Sequence, residues 1–319
     1  MTRAALAALV GAFLVLETAL RFIGYSAPQW YELDPRLGWR LHPHRHGWFI
    51  AGGARVPVNT TPAGFRDREH TLDKPDGVYR IAVLGDEYSE AMAVKLTQTW
   101  WWQLPARLQQ CGFQPDKLTE VLNFGVGGYG TAQELVLLQT TVMRYAPDLV
   151  LLQFSADDVI DNSFALTPNK LRPFYFLDAH GVPRIDDSFA LSPTFDNRMQ
   201  TRYRLAEEIV DHSRTYQLGR QLAELAFIGE ARADSPRFTD DAWRVTEAVI
   251  AKMNAFTRRN GARLAVVAMG HPEQRLSAFG KQNGLPVFVL DEAPHTAQAH
   301  ASAARAVAQR LCRATAQPG

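Results

Sequence analysis

The sequence predicts an α/β protein: three layers, α/β/α, around a mainly parallel five-stranded sheet, preceded by one N-terminal transmembrane helix. Three observations predict it. Apolar runs at residues 81–84, 149–154, 264–269 and 287–290, with a further strand at 118–124, have the character of strands buried on both faces. Between them, apolar residues recur at three- and four-residue steps, and strands alternating with such helices build a parallel sheet covered on both sides. Ahead of all this, residues 4–20 are apolar except at Gly11, Glu17 and Thr18 and are flanked by Arg3 and Arg21.

Composition suits one main folded domain. With 319 residues, 46% of them hydrophobic, the chain can bury a sizeable core. Its formal net charge is +1 and no Lys/Arg block occurs, so nothing points to nucleic acid or to a strongly charged partner. Cys111 and Cys312 are too few for a disulfide scaffold and have no metal spacing.

The apolar run at 4–20, extended by Phe22, Ile23 and Tyr25, is a spanning helix at the short end of the range. Glu17 stands four residues before Arg21, so the two can pair near the interface; a contact of Glu17 with another membrane helix is the alternative. No small-x-small cleavage site follows, which favours an uncleaved anchor over a removed signal. Arg3 and the free amine favour a cytoplasmic N-terminus while Arg21, Arg36 and Arg40 pull the other way. Charge alone therefore does not set the orientation, which rests as much on the resemblance given below. Tyr25, Trp30 and Tyr31 suit the headgroup level. The expected organisation is an anchor over 1–25, an extended β-hairpin region over 26–78, and the main domain over 79–319 with an insertion at about 163–240. In the hairpin region His42, His44 and His46 alternate, which on a strand puts them on one side. Lacking a carboxylate or Cys at ligand spacing, that side reads as solvated or partner-facing rather than as a metal face.

Residues 80–94 organise the rest. Ile81 to Leu84 form a buried strand, Gly85-Asp86 a turn, and a polar helix start follows. In open α/β sheets the loop leaving the carboxyl end of such a strand carries catalytic groups, so Glu87 stands in the active position. A helix from residue 97 carries Trp100, Trp101, Leu104 and Leu108 on its apolar steps and stops at Gly112. Three consecutive Trp cannot all face one core. The strand at 118–124 runs into Gly125-Val126-Gly127-Gly128-Tyr129-Gly130, where glycines let a backbone approach a ligand at a helix N-terminus, and a helix follows over 132–145. The strand at 149–154 is broken only by Gln153 and exits through Ser155-Ala156-Asp157-Asp158. The insertion lacks strand periodicity until a helical stretch at 202–227 and is punctuated by Pro168, Pro173, Pro183 and Pro193. A helix over 240–260 has Thr239 as N-cap, acids in its first turn and Arg258-Arg259 at its end, and a final helix covers 297–313.

Four of these stretches resemble the SGNH (GDSL-type) hydrolase family, and Leu37-Gly38-Trp39 and Ala63-Gly64-Phe65-Arg66-Asp67 look like the leader of its membrane-anchored members. The resemblance implies a flavodoxin-like three-layer fold and a site at four positions. Gly85-Asp86-Glu87 stands where the family has Gly-Asp-Ser, so a Glu replaces the nucleophilic Ser. Gly128 corresponds to the oxyanion-hole glycine. Asp157 takes the place of the Asn that donates to the oxyanion. In Asp291-Glu292-Ala293-Pro294-His295, His295 is the base and Glu292 its orienter, with His300 five residues beyond.

Acyl transfer needs an activated hydroxyl or thiol, and an ionised Asp has no hydrogen to donate to an oxyanion. Losing one such donor typically costs about 3–4 kcal/mol of transition-state stabilisation, and here the nucleophile is missing too. Ser89 reads as an N-terminal cap, and Ser155 leaves the wrong strand end. Three readings follow. One is a catalytically degenerate structural or interaction subunit of a membrane complex, its domain in the periplasm and its partners the membrane and other membrane subunits. The second is an active O-acyl esterase or acyltransferase on polysaccharide or lipid. The third is a cation site built from Glu87, Asp157 and His295. No cofactor is implied. With the domain outside the cytoplasm, Cys111 and Cys312, at the C-terminal ends of helices on one sheet face, are expected to form a disulfide; two free buried thiols are the alternative.

Overall fold

A computed structural model describes residues 2–51, 54–227, 239–270 and 274–316. Helix α1 (Arg3–Phe22) is 20 residues long with a mean hydropathy of 1.8, and it is the one described helix long and apolar enough to cross a membrane. A signal sequence meets the same criterion. The segment after it folds into two antiparallel hairpins, β1 (Tyr31–Asp34) with β2 (Gly38–Leu41) and β3 (His46–Ala51) with β4 (Ala54–Asn59). Trp30, Leu41, Val56, Val58 and Met92 form a small apolar cluster of their own there.

The central sheet alternates with helices as the periodicity requires. Strand β5 (Val78–Leu84) leads to the one-turn α2 (Glu87–Glu90), a 3-10 turn (Leu96–Gln98) and α3 (Trp100–Gln110). Thr99 caps α3 by accepting the Trp102 N–H. Next come β6 (Leu118–Asn123), α4 (Thr131–Thr140), a 3-10 turn (Val142–Tyr145), β7 (Leu149–Phe154) and α5 (Asp157–Asp161). The insertion contributes β8 (Phe174–Leu177), β9 (Pro183–Asp186), α6 (Pro193–Met199), α7 (Thr201–Asp211) and α8 (Arg214–Phe227). The chain ends with α9 (Asp240–Arg259), β10 (Arg263–Met269), α10 (Gln274–Gln282), β11 (Val287–Leu290) and α11 (Ala297–Ala316).

All five strands of the main sheet are parallel, in the order β6-β5-β7-β10-β11. Renumbered within the sheet this is 2-1-3-4-5, the flavodoxin-like doubly wound order, whose switch point lies between its first and third strands. Here those are β5 and β7. One core, including Leu84, Leu122, Leu135, Leu152 and Ile250, packs α4 and α9 on one face; the other, including Ile81, Trp100, Trp101, Leu104 and Val307, packs α3 and α11 on the opposite face. Trp100 and Trp101 are fully buried, whereas Trp102 is partly exposed beneath the Arg68 guanidinium. Cys111 and Cys312 form a disulfide, with Cα atoms 6.3 Å apart, that ties the ends of α3 and α11 together.

Several expectations are corrected. The insertion does contain strands: β8 and β9 form a hairpin whose turn carries Asp178 and Gly181, the latter at φ 73°. Period-2 alternation is invisible there because the strands are four residues each. The helical stretch at 202–227 is two helices broken at His212-Ser213. His42, His44 and His46 do not share a strand face, since β2 ends at Leu41 and β3 begins at His46, with His44 in a turn at φ 54°. Trp30 and Tyr31 are turned into the protein rather than toward headgroups: Trp30 is buried and the Tyr31 hydroxyl bonds Glu90.

Glu17 satisfies both sequence alternatives in part. It pairs with Arg21 at 2.8 Å, and it also contacts a helix, but that helix is α8 of the same chain. The Arg214 and Thr215 N–H groups, at the start of α8, donate to its carboxylate at 3.0 and 2.9 Å. A helix N-terminus with unsatisfied N–H groups is a natural seat for a carboxylate.

Candidate functional site

The site is built at the carboxyl ends of β5, β6 and β7. Asp86 caps α2 by accepting the Tyr88 N–H at 2.9 Å, which fixes Glu87 as the first helical residue. The Glu87 side chain is exposed, and its Oε2 accepts the Gly128 N–H at 3.2 Å. The glycine assigned to stabilising an oxyanion is therefore already holding an anion supplied by the chain. Gly128 lies at φ 72°, in the left-handed region that favours glycine.

The Gly-rich loop is clamped from above by the leader and from the side by the insertion. A Cβ on Gly127 would stand 2.6 Å from the Tyr31 hydroxyl and 2.9 Å from Glu90 Oε2, so no larger residue fits there. Tyr31 donates to Glu90 Oε2 at 2.7 Å, and Trp39 Nε1 donates to the Gly127 carbonyl at 3.0 Å. Arg172 Nη2 donates to the Gly128 carbonyl at 3.0 Å, stacks over the Trp39 ring at 4.8 Å and pairs with Asp161 at 3.2 Å. Glu90 and Arg172 carry no signal in the sequence, and Tyr31, expected at the headgroup level, belongs to this site instead. Trp39 of Leu37-Gly38-Trp39 covers the loop. Arg66 and Asp67 of the other leader motif bolt the same loops down: Arg66 donates to the carbonyls of Glu90, Ala91 and Val94, and Asp67 accepts the Asn123 N–H at 2.8 Å.

Gln153, the one polar residue of β7, joins that strand to the turn after β5. Its Oε1 accepts from the Asp86 N–H at 3.1 Å and from Ser89 Oγ at 2.9 Å. Ser89 is thus fully buried and bonded to an amide, and the cap of α2 is Asp86, which corrects the reading of Ser89 as the capping residue. Ser155 is buried as well. Asp157 opens α5 half-buried, while its neighbour Asp158 is buried, accepting the Ser155 N–H and the Thr131 hydroxyl at 2.8 Å each.

His295 comes to the rim of the site, its ring edge-on to Tyr88 at 5.1 Å between centroids. It is exposed, and Glu292, also exposed, makes no hydrogen bond or ion pair with it. His300 is buried instead, its Nδ1 accepting the Trp100 N–H at 3.3 Å, and burial lowers its pKa to about 4. Among the described residues no group of three or more His, Cys, Asp or Glu side chains is arranged to hold a metal ion, so Glu87, Asp157 and His295 do not form the cation cage considered above.

Electrostatically the site is crowded with acids. Burial pushes Asp86 well above the carboxylate range, with the charges of Glu87 and Asp158 adding to it. Burial also pushes Asp158 up to about 8 and Glu90 up to about 7, and it raises Glu134 strongly. The cause in each case is the hydration that a carboxylate loses on burial, which disfavours its charged form. A developing negative charge would meet the Glu87 carboxylate on the Gly128 N–H, with no amide donor at position 157.

Compared with known proteins, the chain matches no family model and no curated protein. Solved structures to which it is similar include the psychrotrophic esterase EstA from Pseudoalteromonas, at 10% identity and TM-score 0.39, covering 75% of this chain and 99% of that one. A GDSL-like lipase from Bacteroides thetaiotaomicron is similar at 11% identity and TM-score 0.35, over 74% of this chain and 88% of that one. The acetylxylan esterase Axe2 from Geobacillus stearothermophilus is similar at 12% identity and TM-score 0.37, over 73% and 94% respectively. The likeness concerns the fold alone, and the fold rests on the strand order and the layers described above.

Proposed function

We propose that this protein is a membrane-anchored domain of the SGNH-hydrolase type that does not carry out acyl transfer and acts as a structural or interaction subunit of a membrane complex on the periplasmic side. The observation that carries the reading is the Glu87 carboxylate seated on the Gly128 N–H. A substrate carbonyl would have to displace a tethered anion from the donor it needs, and no hydroxyl waits at that position to attack it. The hydroxyl of Ser89, two residues on, is buried and donates to Gln153. The disulfide between Cys111 and Cys312 agrees with an oxidising compartment, and α1 supplies the anchor.

The test is hydrolysis of an aryl acetate by the purified full chain. The expected result is no turnover above buffer and no change on Glu87→Ala. Turnover by the native protein that disappears in Ser89→Ala would overturn the reading in favour of an active esterase. The double variant Glu87→Ser with Asp157→Asn asks whether the scaffold can be restored, with His295 as base; recovered turnover would show that only those two positions had been lost.

A further inference from the structure

The α7–α8 hairpin is the part of the insertion that touches the anchor, and the contact fixes its height. At about 1.5 Å rise per residue, a 20-residue helix spans about 30 Å, the thickness of the hydrocarbon layer, and Glu17, five residues before Phe22, lies about 7 Å inside its end. Three groups from the hairpin bend reach Glu17: the Ser213 hydroxyl at 3.0 Å and the Arg214 and Thr215 N–H groups at 3.0 and 2.9 Å. Arg21 adds a bond to the His212 carbonyl at 2.8 Å. Groups that touch Glu17 share its depth.

From this bend α8 climbs back toward the domain. Gln217 accepts the Ala27 N–H at 2.8 Å, Arg220 donates to the Ala27 carbonyl at 2.6 Å and Gln221 donates to the Ile50 carbonyl at 2.7 Å. Asp211 faces the protein, accepting the Gln29 N–H at 2.9 Å and pairing with Arg45 and Arg220. Two apolar or aromatic side chains beside the bend are uncovered, Ile209 at 63% exposure and Tyr216 at 48%, next to the exposed His212 ring. In water these side chains would be a cost. Both lie within about one helical turn, about 5 Å, of the groups that hold Glu17.

We propose that the bend between α7 and α8 is a second membrane contact, a wedge that inserts Ile209 and Tyr216 into the interface of the same bilayer leaflet that α1 leaves. Interfacial elements bury their apolar face about 5–10 Å into that boundary, and the depth of Glu17 falls within this span. The wedge fixes the tilt of the domain, because α1 and the bend hold it at two points. It also resolves the carboxylate in the anchor, which lies under the bend with helix N–H groups as donors instead of facing lipid. The inference rests on α1 spanning the membrane.

The test uses the full chain in phosphatidylcholine/phosphatidylglycerol vesicles, with one cysteine introduced and labelled with an environment-sensitive fluorophore without reduction, so that Cys111 and Cys312 stay paired. Positions are Ile209→Cys, Leu14→Cys on α1 and Leu118→Cys at the amino end of β6. Lipids carrying a doxyl quencher near the headgroup or near the chain end report depth. The expected result is emission at 209 shifted to the blue and quenched by the shallow label, quenching at 14 by the deep label, and neither at 118. Quenching at 14 with position 209 behaving like 118 would overturn the wedge alone, and would leave that face for a protein subunit. Loss of quenching at 14 as well would overturn the anchor and the wedge together.

Discussion

At the scale of single residues, the carboxylates of Glu87 and Asp158 each carry a test. Glu87 makes its bond to Gly128 without help from any substrate, so exchanging it for Ala should leave the aryl acetate assay flat and cost little stability. Asp158 tests the buried acids. Its pKa in the folded protein is about 8 against a usual value of 3.8, so the folded state keeps a proton that the unfolded chain has released. Stability from such a group is complete below the lower value and is lost as pH rises toward the upper one, at about 1.4 kcal/mol per pH unit. His300, held down at about 4 from 6.5, works in the opposite sense below pH 6.5. The melting temperature is therefore expected to fall between pH 6.5 and 8, and Asp158→Asn should flatten that slope; an equal slope in the variant would contradict the assignment. Glu87 was legible in the sequence because the motif around it is contiguous. Glu90 was not, because its meaning comes from Tyr31, a residue 59 positions away.

At the scale of elements, the leader and the insertion are the informative parts. Gly127→Ala would drive a methyl group into the Tyr31 hydroxyl and the Glu90 carboxylate, so it should destabilise the clamp by about 1–3 kcal/mol and loosen the first hairpin. Hydrogen exchange at 31–41 would show it. Glu17→Ala removes the acceptor for two α8 N–H groups and the Ser213 hydroxyl, so it should expose the bend at 212–213 to proteolysis. Unchanged cleavage would mean that the α1–α8 contact is not held by that carboxylate. Long elements with strong periodicity, such as α9 with Thr239 as its cap, were readable to within a residue. The four-residue strands β8 and β9 were not, since so short a run shows no period and is defined only by its partner.

At the scale of the whole molecule, the disulfide and the apolar leading helix carry the tests of the proposed compartment. Cys111 and Cys312 are 201 residues apart, so their bond closes most of the domain into one loop, and Cys312→Ser should lower stability by about 2–4 kcal/mol, read by denaturant unfolding. An alkaline phosphatase fusion to the C-terminus should be active if the domain is periplasmic, and inactive fusions at that position would reverse the proposed topology. Alternation of strand and helix announces a parallel sheet, and right-handed crossovers restrict its strand order without fixing it; the order β6-β5-β7-β10-β11 is seen only in the fold.

The sequence by itself determined the layers, the five parallel strands, the apolar leading helix and a carboxylate, Glu87, in the turn after the first strand, because each is written in contiguous residues or in a local period. Only the tertiary structure decided that Glu87 accepts the Gly128 N–H, that the hairpin segment after α1 roofs the Gly-rich loop and that α8 receives Glu17 from α1. Those are contacts between residues far apart in the chain, and they exist only once the folded backbone brings a donor and an acceptor within bonding distance.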